Sequence, residues 1–327
     1  SSGVLVKDLS LLGNLPIFHS FGFTVSIWCA LYMRVRTVTL PSPLEFARAA
    51  KVIAEEKVGI LLGTPTFLRP YLKRVEPEKM ESLRIVVAGA EKTPDGFREA
   101  WEARFPGSRY LEGYGLTETT PVTSVNVPDF VGESQAGGAA SGSRSGSVGR
   151  LFPGMAAKIL DPDTGEALPL SQVGILCLKG PNVFSGYLDA PEKTKAVFQD
   201  GWYVTGDLAR FDAENFLFIE GRLSRFSKIG GEMVPHGTVE TTIAKALGVA
   251  DAEVPVVAVS ARQDAQKGEA LVLLTTQPIT LAELREKLEG SGLSNLWIPK
   301  DIQQVDAIPT LPTGKLDLKG LRRIASG

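Results

Sequence analysis

The chain has 327 residues, of which 43% are hydrophobic, so it can bury a substantial core and exceeds the usual length of one domain. Lys and Arg together number 35 against 37 Asp and Glu, and a formal net charge of −2 gives no basic excess to attract nucleic acid. The two cysteines, Cys29 and Cys177, lie far apart in apolar surroundings, which favours a reducing, cytoplasmic compartment over a disulfide framework.

The longest apolar run extends from Phe21 to Met33. It is shorter than the ~20 residues that a membrane-spanning helix needs, so we expect a buried core helix. The opening residues show no charged region followed by a small-residue cleavage site, so no export signal is expected. Any membrane association should therefore reside in another part of the protein.

Helical and strand patterns alternate in the first part of the chain. Residues Leu44 to Lys57 repeat apolar side chains at helical spacing, and the short apolar run Gly59 to Leu62 predicts a strand. Arg84 to Ala88 predicts a second buried strand, and Pro94 to Phe105 a helix with Pro94 in its first turn. This alternation indicates an α/β unit with a mainly parallel sheet.

The composition changes at Gly132 to Gly149, which is rich in Gly and Ser. We expect a mobile surface loop at about 132–147 that buries nothing and carries no chemistry. Short strands separated by Gly and Pro follow, which predicts a small β-rich unit at about 148–220. Residues 1–220 would then form one large domain.

A compact α+β segment is predicted for residues 221–327, as a second domain. Apolar periodicity predicts helices at Thr238 to Leu247 and Leu281 to Leu288. Strands are expected at Val254 to Val259 and Ala270 to Thr275.

The strongest chemical signal is the motif that runs from Tyr114 to Glu118 (YGLTE). An aromatic face can stack on adenine, the Thr117 hydroxyl can donate to a phosphate oxygen, and the Glu118 carboxylate can hold Mg²⁺. On its own, a turn that contains a core tyrosine explains the same residues.

Two further residues stand in turns that can present a charge. Asp207 in YVTGDL can accept both hydroxyls of a ribose, or can cap a turn after a strand. Lys315 in the loop PTGK can stabilise negative charge on a carboxylate and a phosphate, or can be a solvated surface lysine. The glycine spacing before Lys315 excludes a Walker loop.

Six short motifs occur in the order and rough spacing of the adenylate-forming superfamily: LPIFHSFG, VAGAEK, YGLTE, YVTGDL, GRLSRFSK and PTGK. The chain resembles this superfamily of acyl-CoA synthetases, luciferases and peptide-synthetase adenylation domains over nearly its whole length. Several segments, among them GRLSRFSKIGGEM and KGEALVL, are most similar to the synthetase half of the bifunctional synthetases for acyl carrier protein that are also 2-acylglycerophosphoethanolamine acyltransferases.

The resemblance implies an α/β adenylate-forming fold. Its large N-terminal domain, with α/β sheets and a small β-barrel-like unit, would be followed by a small, mobile α+β C-terminal lid. The segment Gly221 to Lys228 matches the hinge on which that lid turns, although Ser224 replaces the Asp or Lys that is usual there.

The resemblance also implies roles for individual residues, with ATP, Mg²⁺ and a pantetheine thiol as reactants. Ala90, Glu91 and Tyr114 would border the adenine, and Asp207 and Arg222 would contact the ribose. Thr117 would contact the α-phosphate and Glu118 the metal. Lys315 would contact the reacting carboxylate and phosphate. His19 is similar to a histidine near the acyl site that rearranges between the half-reactions, and a packed histidine is an equal alternative.

The implied reaction activates a fatty acid as acyl-AMP and transfers it to a thiol, that of acyl carrier protein or, as the alternative, of coenzyme A. The Ser/Thr/Gly-rich loop ending in Pro-Lys-Gly that normally binds the outer phosphates does not occur in the chain, so the large domain is expected to be incomplete. A catalytically silent fragment that binds lipid or carrier protein is therefore a further alternative.

An acyltransferase half would require a His followed four residues later by Asp. Neither His19 nor His236, the only two histidines, has that partner. Such an activity is therefore expected to lie in another part of the natural protein.

Overall fold

The computed structural model describes residues 9–129, 141–250, 252, 254–311 and 316–326. The chain divides into two compact units. The first unit comprises Ser1–Thr205 and Ala209–Glu220, and the second comprises Gly206–Leu208 and Gly221–Gly327.

The first unit is organised by a sheet of seven described strands in the order β2-β1-β3-β4-β5-β6-β7. The strands β1 to β5 pair in parallel, whereas β6 and β7 are antiparallel additions at one side. Their bounds in chain order are β1 Leu11–Gly13, β2 Thr37–Thr39, β3 Ile60–Gly63, β4 Ile85–Ala88, β5 Arg109–Tyr114, β6 Ser124–Val125 and β7 Arg150–Leu151.

Four α-helices of this region follow the parallel strands: α1 Ala30–Met33, α2 Phe46–Glu56, α3 Pro65–Arg74 and α4 Phe97–Arg104. The predicted alternation of helices and strands is confirmed, with shorter helices than expected. The α4 helix begins after Gly96, whose φ of 76° is incompatible with a helix, so Pro94 lies outside it. Trp101 of α4 is fully buried, and its indole N–H donates to the Ser108 hydroxyl at 3.0 Å.

The prediction of a buried core helix at Phe21 to Met33 is wrong. The segment forms a π-helix at Gly22–Cys29 that continues into α1, but the buried positions are the small residues Gly22, Ser26 and Ala30. Large side chains on the other faces are exposed, with Trp28 59% and Tyr32 90% accessible. The run has no charged residue, and the polar residue Ser26 lies on the buried face, so the sequence gives no pattern from which that face can be read. Within the described residues, no helix is long and apolar enough to cross a membrane.

A second sheet of six described strands completes the first unit, in the order β11-β12-β10-β8-β9 with β13 beside β12. These strands are β8 Ala156–Leu160, β9 Ala167–Leu168, β10 Gly174–Lys179, β11 Phe198–Gln199, β12 Trp202–Phe211 and β13 Leu217–Arg222. The short helix α5 spans Pro191–Val197.

The segment expected to be a loop that buries nothing is described only from residue 141 onward. There the prediction is wrong, because Ser147 is fully buried and its carbonyl accepts from the Asn126 side chain at 2.7 Å. Arg144 forms ion pairs with Asp212 and Glu214. Residues 130–140 lie outside the described part of the chain.

The second unit contains an antiparallel sheet in the order β15-β14-β17-β16, with β18 parallel to β17. Its elements are β14 Phe226–Ile229, β15 Glu232–Pro235, α6 His236–Ala246, β16 Val257–Asp264, β17 Gly268–Thr275, α7 Leu281–Leu288, β18 Asp301–Gln304 and α8 Leu318–Ser326. The predicted α7 is confirmed at both ends, and a capping box of Thr280 and Glu283 fixes its N-terminus.

A buried polar network lies on the edge of this unit's core. Arg225 forms an ion pair with Glu240 of α6 and donates to the Val259 carbonyl at 3.1 Å. Nearby, the Ser227 hydroxyl and Nε2 of His236 are 2.8 Å apart. The pKa of His236 is lowered from 6.5 to about 3. Burial is the largest cause, and the charges of Arg225 and Arg322 add to it.

A pair of glycines tests how tightly β6 is packed. Both Gly149 and Gly146 have positive φ, but an added Cβ at Gly149 would lie 2.0 Å from the Val125 carbonyl carbon, whereas at Gly146 it would meet nothing within 4 Å. Gly149→Ala should therefore reduce the free energy of unfolding by ~1–3 kcal/mol more than Gly146→Ala, measured by urea denaturation. Equal losses in the two variants would contradict this packing.

The buried neutral imidazole predicts a pH dependence of stability. An unfolded chain takes up the His236 proton below pH 6.5, whereas the folded chain does not until about pH 3, so stability falls as pH falls through this window. The contribution has a maximum slope of about 1.4 kcal/mol per pH unit. In urea denaturation, His236→Gln should reduce the pH slope below pH 6.5, while the control His19→Gln should keep it. Identical slopes for wild type and His236→Gln would show that this imidazole is not the cause.

Candidate functional site

The loops that follow the parallel strands of the first unit carry most of the predicted site residues. β1 leads to His19, β4 to Ala90 and Glu91, and β5 ends at Tyr114 and leads to Thr117 and Glu118. Carboxyl ends of parallel neighbours lie at the same edge of a sheet, which is where ligands bind in open α/β folds. The topology therefore gathers residues that are far apart in the sequence.

Thr117 and Glu118 lie in a 3-10 turn, Thr117–Thr119, directly after β5. The hydroxyl oxygens of Thr117 and Ser20 are 3.1 Å apart, so the loop after β1 contacts the loop after β5. The Tyr187 hydroxyl donates to Oε1 of Glu118 at 2.7 Å. One carboxylate oxygen is thus held by a neutral donor, and Oε2 is available for a further ligand.

Tyr114 is half-buried and packs beside the apolar core of the second sheet. The next residue has no space for a side chain, because a Cβ at Gly115 would lie 1.7 Å from the Pro121 carbonyl oxygen. The glycine of the motif is therefore required by a close backbone approach. That approach turns the chain from β5 into the loop that contains Thr117.

Ala90 and Glu91 follow β4 in an unusual backbone conformation. Ala90 is exposed and has a φ of 68°, a left-handed conformation that costs a non-glycine residue about 1–3 kcal/mol and often marks a functional position. Oε2 of Glu91 accepts from the Thr66 hydroxyl at 2.7 Å and from the Thr66 backbone N–H at 3.2 Å. The start of α3 therefore holds this loop in place.

His19 lies in a turn that precedes the π-helix and is half-buried. Its Nδ1 accepts from the backbone N–H of Phe21 at 3.2 Å, so a neutral imidazole carries its proton on Nε2. This geometry agrees both with a packed histidine and with a histidine that presents Nε2 to a reactant.

Asp207 and Arg222 meet in the second unit. Nε of Arg222 lies 3.4 Å from Oδ1 of Asp207, and the Asp207 side chain is only 8% exposed. The guanidinium fixes the orientation of a buried carboxylate that retains acceptor capacity for hydroxyl groups. Lys315 lies outside the described residues.

Glu118 is the residue of this site that could hold Mg²⁺. Among the described residues, no three His, Cys, Asp or Glu side chains are grouped as a metal site. Mg²⁺ does not require such a group, since it commonly takes one or two carboxylates together with waters and substrate phosphates. The half-buried Glu118 carboxylate, with Tyr187 on Oε1, fits that pattern.

Sequence reasoning missed three residues that hold the site together: Ser20, Thr66 and Tyr187. Ser20 lies between His19 and Gly22 in the motif LPIFHSFG, so the motif itself offered a signal for this residue. Thr66 and Tyr187 offer no local signal, because their partners are 25 and 69 residues away.

The family with the description AMP-binding enzyme matches residues 3–188. This match covers more than half of the chain, so the chain belongs to the AMP-binding enzyme family. The expected α/β adenylate-forming fold is confirmed by solved structures. MatB from Rhodopseudomonas palustris with bound ATP has a TM-score of 0.78 at 29% identity, and covers 97% of this chain and 60% of its own.

Curated relatives are similar over the same extent. The 4-coumarate–CoA ligase of Pinus taeda is 29% identical over 322 residues, which are 97% of this chain and 57% of the relative. Probable 4-coumarate–CoA ligase 3 of Dictyostelium discoideum is 31% identical over 320 residues, 97% of this chain and 56% of the relative. The chain thus spans about half the length of the curated relatives it matches.

Proposed function

We propose that the protein is an ATP-dependent acid–thiol ligase that forms AMP, and that this chain supplies its adenosine- and metal-contacting parts. The observation that carries this proposal is the Ser20, Thr117, Glu118 and Tyr187 cluster at the carboxyl edge of the parallel sheet, in a chain of the AMP-binding enzyme family. Hydroxyls beside a carboxylate are suited to a nucleotide phosphate and its Mg²⁺.

The proposed reaction has two half-reactions. A carboxylate oxygen attacks the α-phosphorus of ATP. The bond from that phosphorus to the oxygen that bridges the α- and β-phosphates breaks, and acyl-AMP and pyrophosphate form. A thiol sulfur then attacks the acyl carbon, loses its proton to solvent or a base, and releases AMP. Both steps depend on positioning and on stabilisation of negative charge.

The chain's residues take the following proposed parts. The half-buried Tyr114 and the exposed loop at Ala90 and Glu91 border the adenine, and Asp207, oriented by Arg222, accepts from the ribose hydroxyls. Thr117 contacts the α-phosphate, and Lys315 stabilises charge on the reacting carboxylate and phosphate. His19 lies near the acyl site.

Glu118 is the proposed protein ligand of Mg²⁺, which when bound neutralises phosphate charge. Its contact with Tyr187 prevents free rotation of the carboxylate. Outer partners of this kind orient a ligating carboxylate, and their loss commonly weakens metal binding.

Coenzyme A is the preferred thiol, because the curated relatives are named as CoA ligases. This reverses the order of preference expected from the sequence, in which acyl carrier protein came first. Acyl carrier protein stays as the second candidate on the resemblance of GRLSRFSKIGGEM and KGEALVL to a synthetase of that kind. The second unit is proposed to be the mobile lid, with its hinge at Gly221 to Lys228.

A fatty acid is the proposed carboxylate, and the relatives add 4-coumarate as an alternative. ATP–pyrophosphate exchange by the full-length protein, with a panel of fatty acids and 4-coumarate, tests the first half-reaction. Acid-dependent exchange supports the proposal, and thioester formation with coenzyme A against acyl carrier protein then identifies the thiol. No exchange with any acid would favour the silent binding module and overturn the proposed activity.

Loss of the Lys315 charge should affect chemistry rather than folding. Lys315→Ala in the full-length protein should remove ~2.7–4 kcal/mol of barrier lowering, as other single electrostatic donors do, and so slow adenylate formation by ~10²–10³-fold. The control Lys287→Ala changes an exposed lysine of α7 and should keep the wild-type rate. Adenylate formation by Lys315→Ala at the wild-type rate would remove this residue from the mechanism.

Tyr187 is proposed as a positioning residue for Glu118. Tyr187→Phe removes the donor but keeps the ring contacts with Phe184, so the Mg²⁺ concentration for half-maximal exchange should rise by about 10-fold. Tyr32→Phe, at a side chain that is 90% exposed, is the matched control. A lower rate with an unchanged Mg²⁺ dependence would show that Tyr187 does not act through Glu118.

A further inference from the structure

The second unit contains a pocket that none of the proposed site residues line. It has a volume of about 280 Å³ and is open to solvent between α8, the start of β14 and the middle of β16. Four of its lining residues are apolar, and the other seven supply three serine hydroxyls, three cations and one imidazole, from Ser224, Ser227, Ser260, Arg225, Lys319, Arg322 and His236.

No carboxylate lines this pocket, although acidic residues outnumber basic ones in the chain. Glu240 and Asp317 adjoin the lining residues in sequence or by contact, but neither carboxylate lines the pocket. Glu240 forms an ion pair with Arg225 and accepts from the Val259 backbone N–H, and Asp317 accepts from the Lys319 backbone N–H at the start of α8. The pocket therefore keeps a positive potential.

Two of its cations have no side-chain partner within the part of the chain that the structure describes. Neither the Lys319 ammonium nor the Arg322 guanidinium forms an ion pair there, whereas Arg225 is held by Glu240. Two uncompensated cations beside hydroxyl donors match the donor set that a phosphate group requires.

The buried imidazole supplies a further neutral group. Only 4% of His236 is exposed, and its ring contacts Ser227 through Nε2 at 2.8 Å. Arg225 and Arg322 both act to keep it uncharged. Because the surrounding cations disfavour its protonation, the imidazole stays neutral, and the positive charge of the lining comes from Arg225, Lys319 and Arg322.

We propose that this pocket binds a phosphate group, as the free ion or as the phosphate of a small thiol cosubstrate. Its volume is just below the usual range for small-molecule sites, which matches a phosphate with a short attached arm. The cosubstrate part of this proposal rests on the proposed ligase function, whereas binding of the free ion does not, and both can be measured without ATP turnover.

The test is a titration of the full-length protein with inorganic phosphate at constant ionic strength, followed by NMR of the histidine side chains. His236→Gln assigns the signal of His236 by its loss, whatever other histidines the full-length protein contains. A bound anion stabilises the protonated imidazole, so the pKa of His236 should rise with phosphate in a saturable manner. The charged groups that act on His236 are Arg225 and Arg322, with Glu240 paired to Arg225.

Variants on α8 provide the control. Arg322→Ala and Lys319→Ala should each weaken phosphate binding ~10-fold, as expected for loss of a charged hydrogen bond. Arg323→Ala removes the same charge from the neighbouring, exposed position that does not line the pocket, and should change binding less than ~2-fold.

Two arms distinguish the sources of the phosphate. Tighter binding of 4′-phosphopantetheine than of inorganic phosphate, with no binding of pantetheine, identifies the thiol cosubstrate; equal binding identifies the free ion. No saturable change at His236, or equal weakening by Arg322→Ala and Arg323→Ala, would overturn the proposal.

Discussion

Parallel pairing of β1, β3, β4 and β5 is the constraint on which the candidate site depends. Each of these strands is only three to six residues long, and each ends at the same edge of the sheet. A one-residue slip in register would turn alternate side chains to the other face, and the buried core formed with Trp101 and Tyr110 prevents such a slip. The chemistry of the loops therefore rests on packing beneath them.

The acidic residues of the site share one structural feature: each is held by a donor from a distant segment. Tyr187 holds Glu118, Thr66 holds Glu91, and Arg222 holds Asp207. A carboxylate in a single orientation presents its remaining lone pairs in a fixed direction, so little conformational freedom is lost when a ligand binds. The strained backbone at Ala90 indicates that the loop after β4 is likewise held in one conformation.

The sequence was sufficient to predict the alternation of helices and strands and the motif that contains Thr117 and Glu118, because these depend on periodicity and on local residue types. It could not predict that Phe21 to Met33 exposes its large side chains, since the run has no charged residue and its polar Ser26 is buried. The sequence also could not predict the burial of Ser147, because this residue accepts a hydrogen bond from Asn126, which is 21 residues away. Contacts such as Ser20 with Thr117 join residues 97 positions apart and arise only from the topology.

The carboxyl edge of the parallel sheet is proposed to bind the adenine of ATP. Photolabelling of the full-length protein with 8-azido-ATP, followed by mass spectrometry of the peptides, tests this directly. We expect adducts on the peptides that contain Tyr114 or the Ala90–Glu91 loop, and their loss in the presence of excess ATP. ATP-protected labelling confined to other peptides, such as those around His236 and Arg322, would contradict it.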